Sequence, residues 1–131
     1  MILVDTSVLV AFLKGAGSEG ARKFRRVLQQ HVPFGINGFI FQEVLQGAKS
    51  EREYDTLKKY LSTQRFYQPV DPIASFAGAA RIYFDCRRSG LTIRSTIDCA
   101  IAQTAIEHNL LLLHEDKDYE AIARVAPLKF Y

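Results

Sequence analysis

The stretch Met1-Ile-Leu-Val-Asp5-Thr6-Ser7 decides the fold. Its apolar run is too short for a helix and meets capping residues at once, so Ile2 to Val4 reads as a buried strand. Asp5 closes that strand. Thr6 or Ser7 can then cap a helix whose apolar residues Val8, Leu9, Ala11, Phe12 and Leu13 run to Gly15. Far along the chain, Leu110 to Leu113 is a continuous apolar run, the pattern of a strand buried on both faces of a parallel sheet. It too runs into acids, in His114-Glu115-Asp116-Lys117-Asp118.

Between these two strands the chain alternates. Ser18 and Glu19 open a helix with Ala21, Phe24, Val27 and Leu28 at helical spacing, and Pro33 ends it. A short strand near Phe34 to Ile36 leads to a helix holding Glu43, then to another near Glu51 to Ser62. Arg65 to Val70 reads as a third strand, and Asp71-Pro72 starts a long helix to about Arg88. After Ser89-Gly90 comes the helix of Asp98. A short helix near Tyr119 to Arg124 and a strand from Leu128 to Tyr131 finish the pattern. This alternation predicts one α/β domain over residues 1–131, three-layer α/β/α with a mostly parallel central sheet. In such sheets ligands bind beyond the carboxyl ends of the strands.

Four acids then fall on one predicted edge: Asp5, Glu43, Asp98 and Asp116. Each has a local explanation. Asp5 can cap the first helix, Ser95 and Asp98 have capping-box spacing, and Glu43 can be a solvated helix residue. Asp116 can be a turn residue, with Asp118 the N-cap of the helix near Tyr119. Those local roles do not account for all four converging. Carboxylates gathered in one place repel unless a hard cation such as Mg2+ or Mn2+ neutralises them.

Composition narrows the classes. The 131 residues carry a net charge of +3, with basic clusters at Arg22 to Arg26, at Lys58-Lys59 and at Arg87, Arg88 and Arg94. Basic clusters around an acidic pocket suit a polyanion held at its backbone and cut at the carboxylates; as single clusters they also read as solvated helix faces. No apolar stretch is long enough to span a membrane, and no basic leader precedes the first strand, so no membrane association and a cytoplasmic location are expected. Cys86 and Cys99 read as reduced thiols, and three scattered histidines make a zinc site improbable. Phe24, Val27, Leu28, Phe76, Tyr83 and Phe84 are candidates for either core or interface.

The ordered set Val4-Asp5-Thr6-Ser7, Glu43-Val-Leu-Gln-Gly47, Ile97-Asp98-Cys-Ala-Ile-Ala102 and His114-Glu-Asp116-Lys-Asp118-Tyr119 resembles a PIN domain. More narrowly it resembles the VapC toxins of bacterial toxin–antitoxin pairs. The resemblance implies a Mg2+- or Mn2+-dependent endoribonuclease with Asp5, Glu43, Asp98 and Asp116 as its acidic quartet and Asp118 as a further metal ligand. It also implies structured RNA such as tRNA as substrate, a homodimer, and a cognate antitoxin that covers the pocket, often with an arginine among the acids. Thr6 or Ser7 would bond an acid or a coordinated water, and Arg87, Arg88 and Arg94 would hold RNA.

The residue types lead to the same chemistry without the name. The sequence has no Ser/His/Asp or Cys/His set and no Gly-rich phosphate loop, which disfavours covalent catalysis. Carboxylates with hard cations suit in-line phosphodiester hydrolysis to 5′-phosphate and 3′-hydroxyl ends. Asp5 and Asp98 are read as principal ligands, Glu43 and Asp116 as outer or second-metal ligands, and His114 as a proton shuttle or an ordinary hydrogen-bonding residue. Two alternatives use the same fold class: a phosphoacceptor receiver-like domain, and an inactive RNA-binding domain.

Overall fold

The computed structural model describes residues 1–131. In chain order the elements are β1 (Ile2–Val4), α1 (Thr6–Leu13), α2 (Glu19–Gln29), β2 (Phe34–Ile36), α3 (Gly38–Gln46) and α4 (Glu51–Leu61). They continue as β3 (Arg65–Phe66), α5 (Pro72–Arg88), α6 (Thr96–Glu107), β4 (Leu111–Leu113), α7 (Lys117–Ile122) and β5 (Lys129–Phe130). The five strands form one sheet in the order β3-β2-β1-β4-β5, and every neighbouring pair is parallel. All of the sheet, not most of it, is parallel.

Strand order locates the functional edge. From β1 the chain steps outward to β2 and β3, then crosses back to β4 and steps the other way to β5. Right-handed crossovers travelling in opposite directions lie on opposite faces, which gives the three layers. The reversal falls between β1 and β4, the topological switch point where α/β sheets open a crevice. Register Val4↔Leu113 sets the ends of the two strands side by side. Asp5 N–H donates to Leu113 O at 2.9 Å, one residue past that pair.

The core explains why these short strands hold. Leu3, Val4, Ile36, Leu112, Ile101 and Ile122 are fully or almost fully buried within one apolar cluster. Phe24 lies in it too, edge-on to Phe12 and Phe34 at 4.9 and 5.1 Å between ring centres. Phe24 and Val27 are therefore core residues, whereas Phe76 and Phe84 are exposed along α5, together with Ile73.

Local chemistry moves some boundaries. β3 stops at Phe66 instead of Val70, although Tyr67 N–H still donates to Ile36 O; Pro69 has no N–H to extend the ladder. Asp5, not Thr6 or Ser7, caps α1, with extended φ/ψ of −73° and 157° and its carboxylate accepting from Ser7 N–H. Asp116, not Asp118, caps α7, so that helix starts at Lys117.

Candidate active site

The acids reach the crevice in two differently built groups. In the first, Asp5 is buried at the end of β1 with both oxygens engaged. Its Oδ2 accepts Ser7 N–H at 3.0 Å and Ser7 Oγ at 2.5 Å, and its Oδ1 accepts the Tyr119 hydroxyl at 2.7 Å. The same strand-to-helix turn supplies Thr6, whose Oγ1 donates to Glu43 Oε1 at 2.7 Å and so ties α1 to α3. Asn37 caps α3 through Ile40 N–H and donates to Thr104 Oγ1, anchoring the helix that carries Glu43.

In the second group Arg94 holds two acids at once. Its Nη2 donates to Asp116 Oδ1 at 2.9 Å, its Nε to Asp118 Oδ2 at 3.3 Å, and its backbone N–H to that same Oδ2 at 3.0 Å. The guanidinium is largely exposed, while Asp118 is only 8% exposed. Hydrogen bonding to Asp118 and the charges of Asp118 and Asp116 raise the arginine's pKa further. Arg94 thus spends its charge on the acids, whereas Arg87 and Arg88 end α5 with their guanidinium groups over Tyr83 and Phe84.

Asp98 stands between the groups. Ser95 caps α6 by accepting Ile97 N–H, not the Asp98 N–H that a capping box requires, and Asp98 makes no return bond to Ser95, so the box does not form and the carboxylate stays free of it. The Tyr119 oxygen lies 3.4 Å from Asp98 Oδ1. One carboxylate oxygen from each of Asp98, Asp116 and Asp118 lies within 4.8 Å of the others. Burial first, then the charges of Asp116, Asp5, Asp118 and Glu43, push the Asp98 carboxyl up to about 7. Like charges at this spacing cannot all ionise cheaply.

That donor set fits a hard divalent cation: it is all carboxylate oxygen, closely spaced, and electrostatically frustrated without positive charge. The two cysteines offer no thiolate nucleophile. Burial pushes the Cys99 thiol up to about 11 and raises that of Cys86 as well. His114 Nδ1 accepts Asp116 N–H at 3.1 Å, and its ring lies 5.0 Å from that of Tyr119 and 4.5 Å from that of Phe130. Burial lowers its pKa, which keeps the ring neutral in its role of orienting the Asp116 backbone. Glu115, next in sequence, turns away to accept Gly20 N–H at the start of α2.

Tyr119 is the residue that sequence reasoning did not single out. Its position three residues after Asp116, on the buried face of a short helix, was the available signal, but that signal does not distinguish a core ring from a hydroxyl aimed at an acid.

The PIN domain family model matches residues 2–125. The chain is 36% identical over 130 residues to VapC ribonuclease Mb1587 of Mycobacterium bovis and to ribonuclease VapC11 of Mycobacterium tuberculosis, covering 98% of this chain and 96% of each relative. The chain belongs to the PIN domain family, among the VapC ribonucleases. Solved structures share the PIN fold. VapBC-1 from nontypeable Haemophilus influenzae superposes with a TM-score of 0.75 at 17% identity, covering 100% of this chain and 97% of that one. VapBC2 from Rickettsia felis, solved with a promoter DNA fragment, gives 0.72 at 20% identity, covering 100% and 98%. Membership in this family sets aside the receiver-like reading. No helix of this PIN domain is long and apolar enough to cross a membrane.

Proposed function

We propose that this PIN domain is a divalent-metal-dependent endoribonuclease, the toxin of a VapBC-type pair, that hydrolyses RNA phosphodiesters to 5′-phosphate and 3′-hydroxyl ends, with structured RNA such as tRNA as its substrate class. The observation that carries the reading is the gathering of Asp98, Asp116 and Asp118 beside Asp5 and Glu43 at the switch point, with the Asp98 carboxyl pushed up to about 7. Asp5, Asp98, Asp116 and Asp118 are the residues that would hold Mg2+ or Mn2+. When bound, such an ion supplies positive charge for the phosphoryl oxygens and acidifies water at the site.

The protein's own groups supply the rest. Glu43, fixed by Thr6, is placed to orient a water and accept its proton. Ser7 and Tyr119 hold Asp5 in one rotamer. Arg87 and Arg88 are free to pair with the RNA backbone. Arg94 serves the acids in the free protein and becomes available to phosphate when other positive charge enters the pocket. The apolar strip Ile73, Phe76 and Phe84 on α5 supports a protein partner, either a second copy or the cognate antitoxin.

The test is cleavage of a tRNA pool by purified protein, with and without EDTA, beside Asp98→Asn. The reading predicts 5′-phosphate ends, full loss in EDTA and recovery with Mn2+. Cleavage that survives both EDTA and the substitution sinks it. A shift in elution volume on co-expression with an adjacent small open reading frame checks the partner.

A further inference from the structure

We propose that the Tyr119 hydroxyl is a positioning residue that fixes Asp5 for a divalent cation by binding its Oδ1. The proposal rests on the metal-dependent reading above and adds a residue to it.

Tyr119 is fully buried in a cluster of apolar side chains, where a phenylalanine would suffice for packing. A buried hydroxyl costs free energy unless it finds a partner, and here the partner is a carboxylate that must itself be satisfied. Three donors reach Asp5. Ser7 supplies two to Oδ2, and Tyr119 supplies one to Oδ1. A carboxylate accepts about four hydrogen bonds, so Oδ2 is filled and Oδ1 keeps one free acceptor position. Donors on both oxygens stop the carboxylate from turning. The oxygen with spare capacity is therefore the one held by Tyr119, whose oxygen also lies 3.4 Å from Asp98 Oδ1. The phenol stands 114 residues away from Asp5 in sequence, so only the packing of α7 against α6 and α5 brings it there.

Partners of this kind, which orient metal-binding carboxylates, change affinity by about 10- to 100-fold. Tyr119→Phe deletes the hydroxyl alone and leaves the ring against His114. Free Mn2+ counted by electron paramagnetic resonance is expected to show about tenfold weaker binding for Tyr119→Phe than for wild type. The Mn2+ concentration for half-maximal RNA cleavage should rise by the same factor, while the KM for RNA stays unchanged. Ile122→Val is the control, a buried core change on the same helix whose side chain has no polar atom to offer either acid. It is expected to keep wild-type Mn2+ affinity.

Equal Mn2+ affinity in wild type and Tyr119→Phe overturns the proposal and leaves the nuclease reading standing. An equal loss in Tyr119→Phe and Ile122→Val also overturns it, because the effect is then general loosening of α7. A wild-type protein that binds no Mn2+ overturns the metal reading and this proposal together.

Discussion

The two groups of acids differ in what holds them. Asp5 and Glu43 are held by neutral hydroxyls, from Ser7, Tyr119 and Thr6, and Asp5 is almost completely buried. Asp116 and Asp118 are held by a cation, the exposed guanidinium of Arg94. Neutral donors fix a carboxylate without cancelling its charge, so the first group keeps its demand for positive charge. The second group already has a cation, one that a stronger ligand can displace. The first is thus a permanent wall of the pocket and the second an adjustable one. Asp98, with no strong partner of its own, carries the electrostatic cost of both.

Removing a central acid tests that division most severely. Asp98→Asn is expected to lower cleavage on the order of 10³-fold, measured by single-turnover assay. The same variant should melt higher than wild type without metal, because it deletes the most strained charge. An inactive variant that is also less stable than wild type would count against Asp98 as the frustrated member.

Next in size is the hydroxyl that serves Glu43. Thr6→Val keeps the shape of the side chain and removes one charge-assisted hydrogen bond of about 1.5 kcal/mol, so kcat should fall about tenfold with little change in KM. A change confined to KM would mean that Glu43 contacts RNA and has no part in the chemistry.

The titration of Asp98 gives a test in the metal-free protein. An acid whose pKa is raised by folding stabilises the fold while it is protonated. For Asp98 that contribution is complete below its ordinary value of 3.8 and is lost as pH rises through about 7. The metal-free melting temperature should therefore contain a component that falls across this window, and saturating Mg2+ should flatten it. Asp98→Asn should lack the component in either condition.

Salt gives the smallest effect. Arg94 is exposed, so its grip on Asp116 and Asp118 weakens as ionic strength rises, while the Tyr119 bond to buried Asp5 does not. Arg94→Gln should make the metal-free melting temperature less salt-dependent. An unchanged salt response would mean that this pairing contributes nothing measurable.

What the sequence determined by itself is the sheet and the approach of the acids. Apolar runs ending in Asp5 and in His114-Glu-Asp116 specify parallel strands with acids at their carboxyl ends, because hydrophobic period and strand handedness are local and general. Only the tertiary structure decided how the acids are shared out. Ser95-x-x-Asp98 reads as a capping box, yet the return bond is open and Asp98 faces the other acids. Asp116 and Asp118 are two residues apart and look interchangeable, yet one caps α7 and the other is buried under Arg94. Tyr119 reads as a core ring until the fold packs α7 against α6 and its hydroxyl meets Asp5. The physical reason is that hydrogen-bond partners 21 to 114 residues apart are chosen by packing, which leaves no periodic trace in the chain.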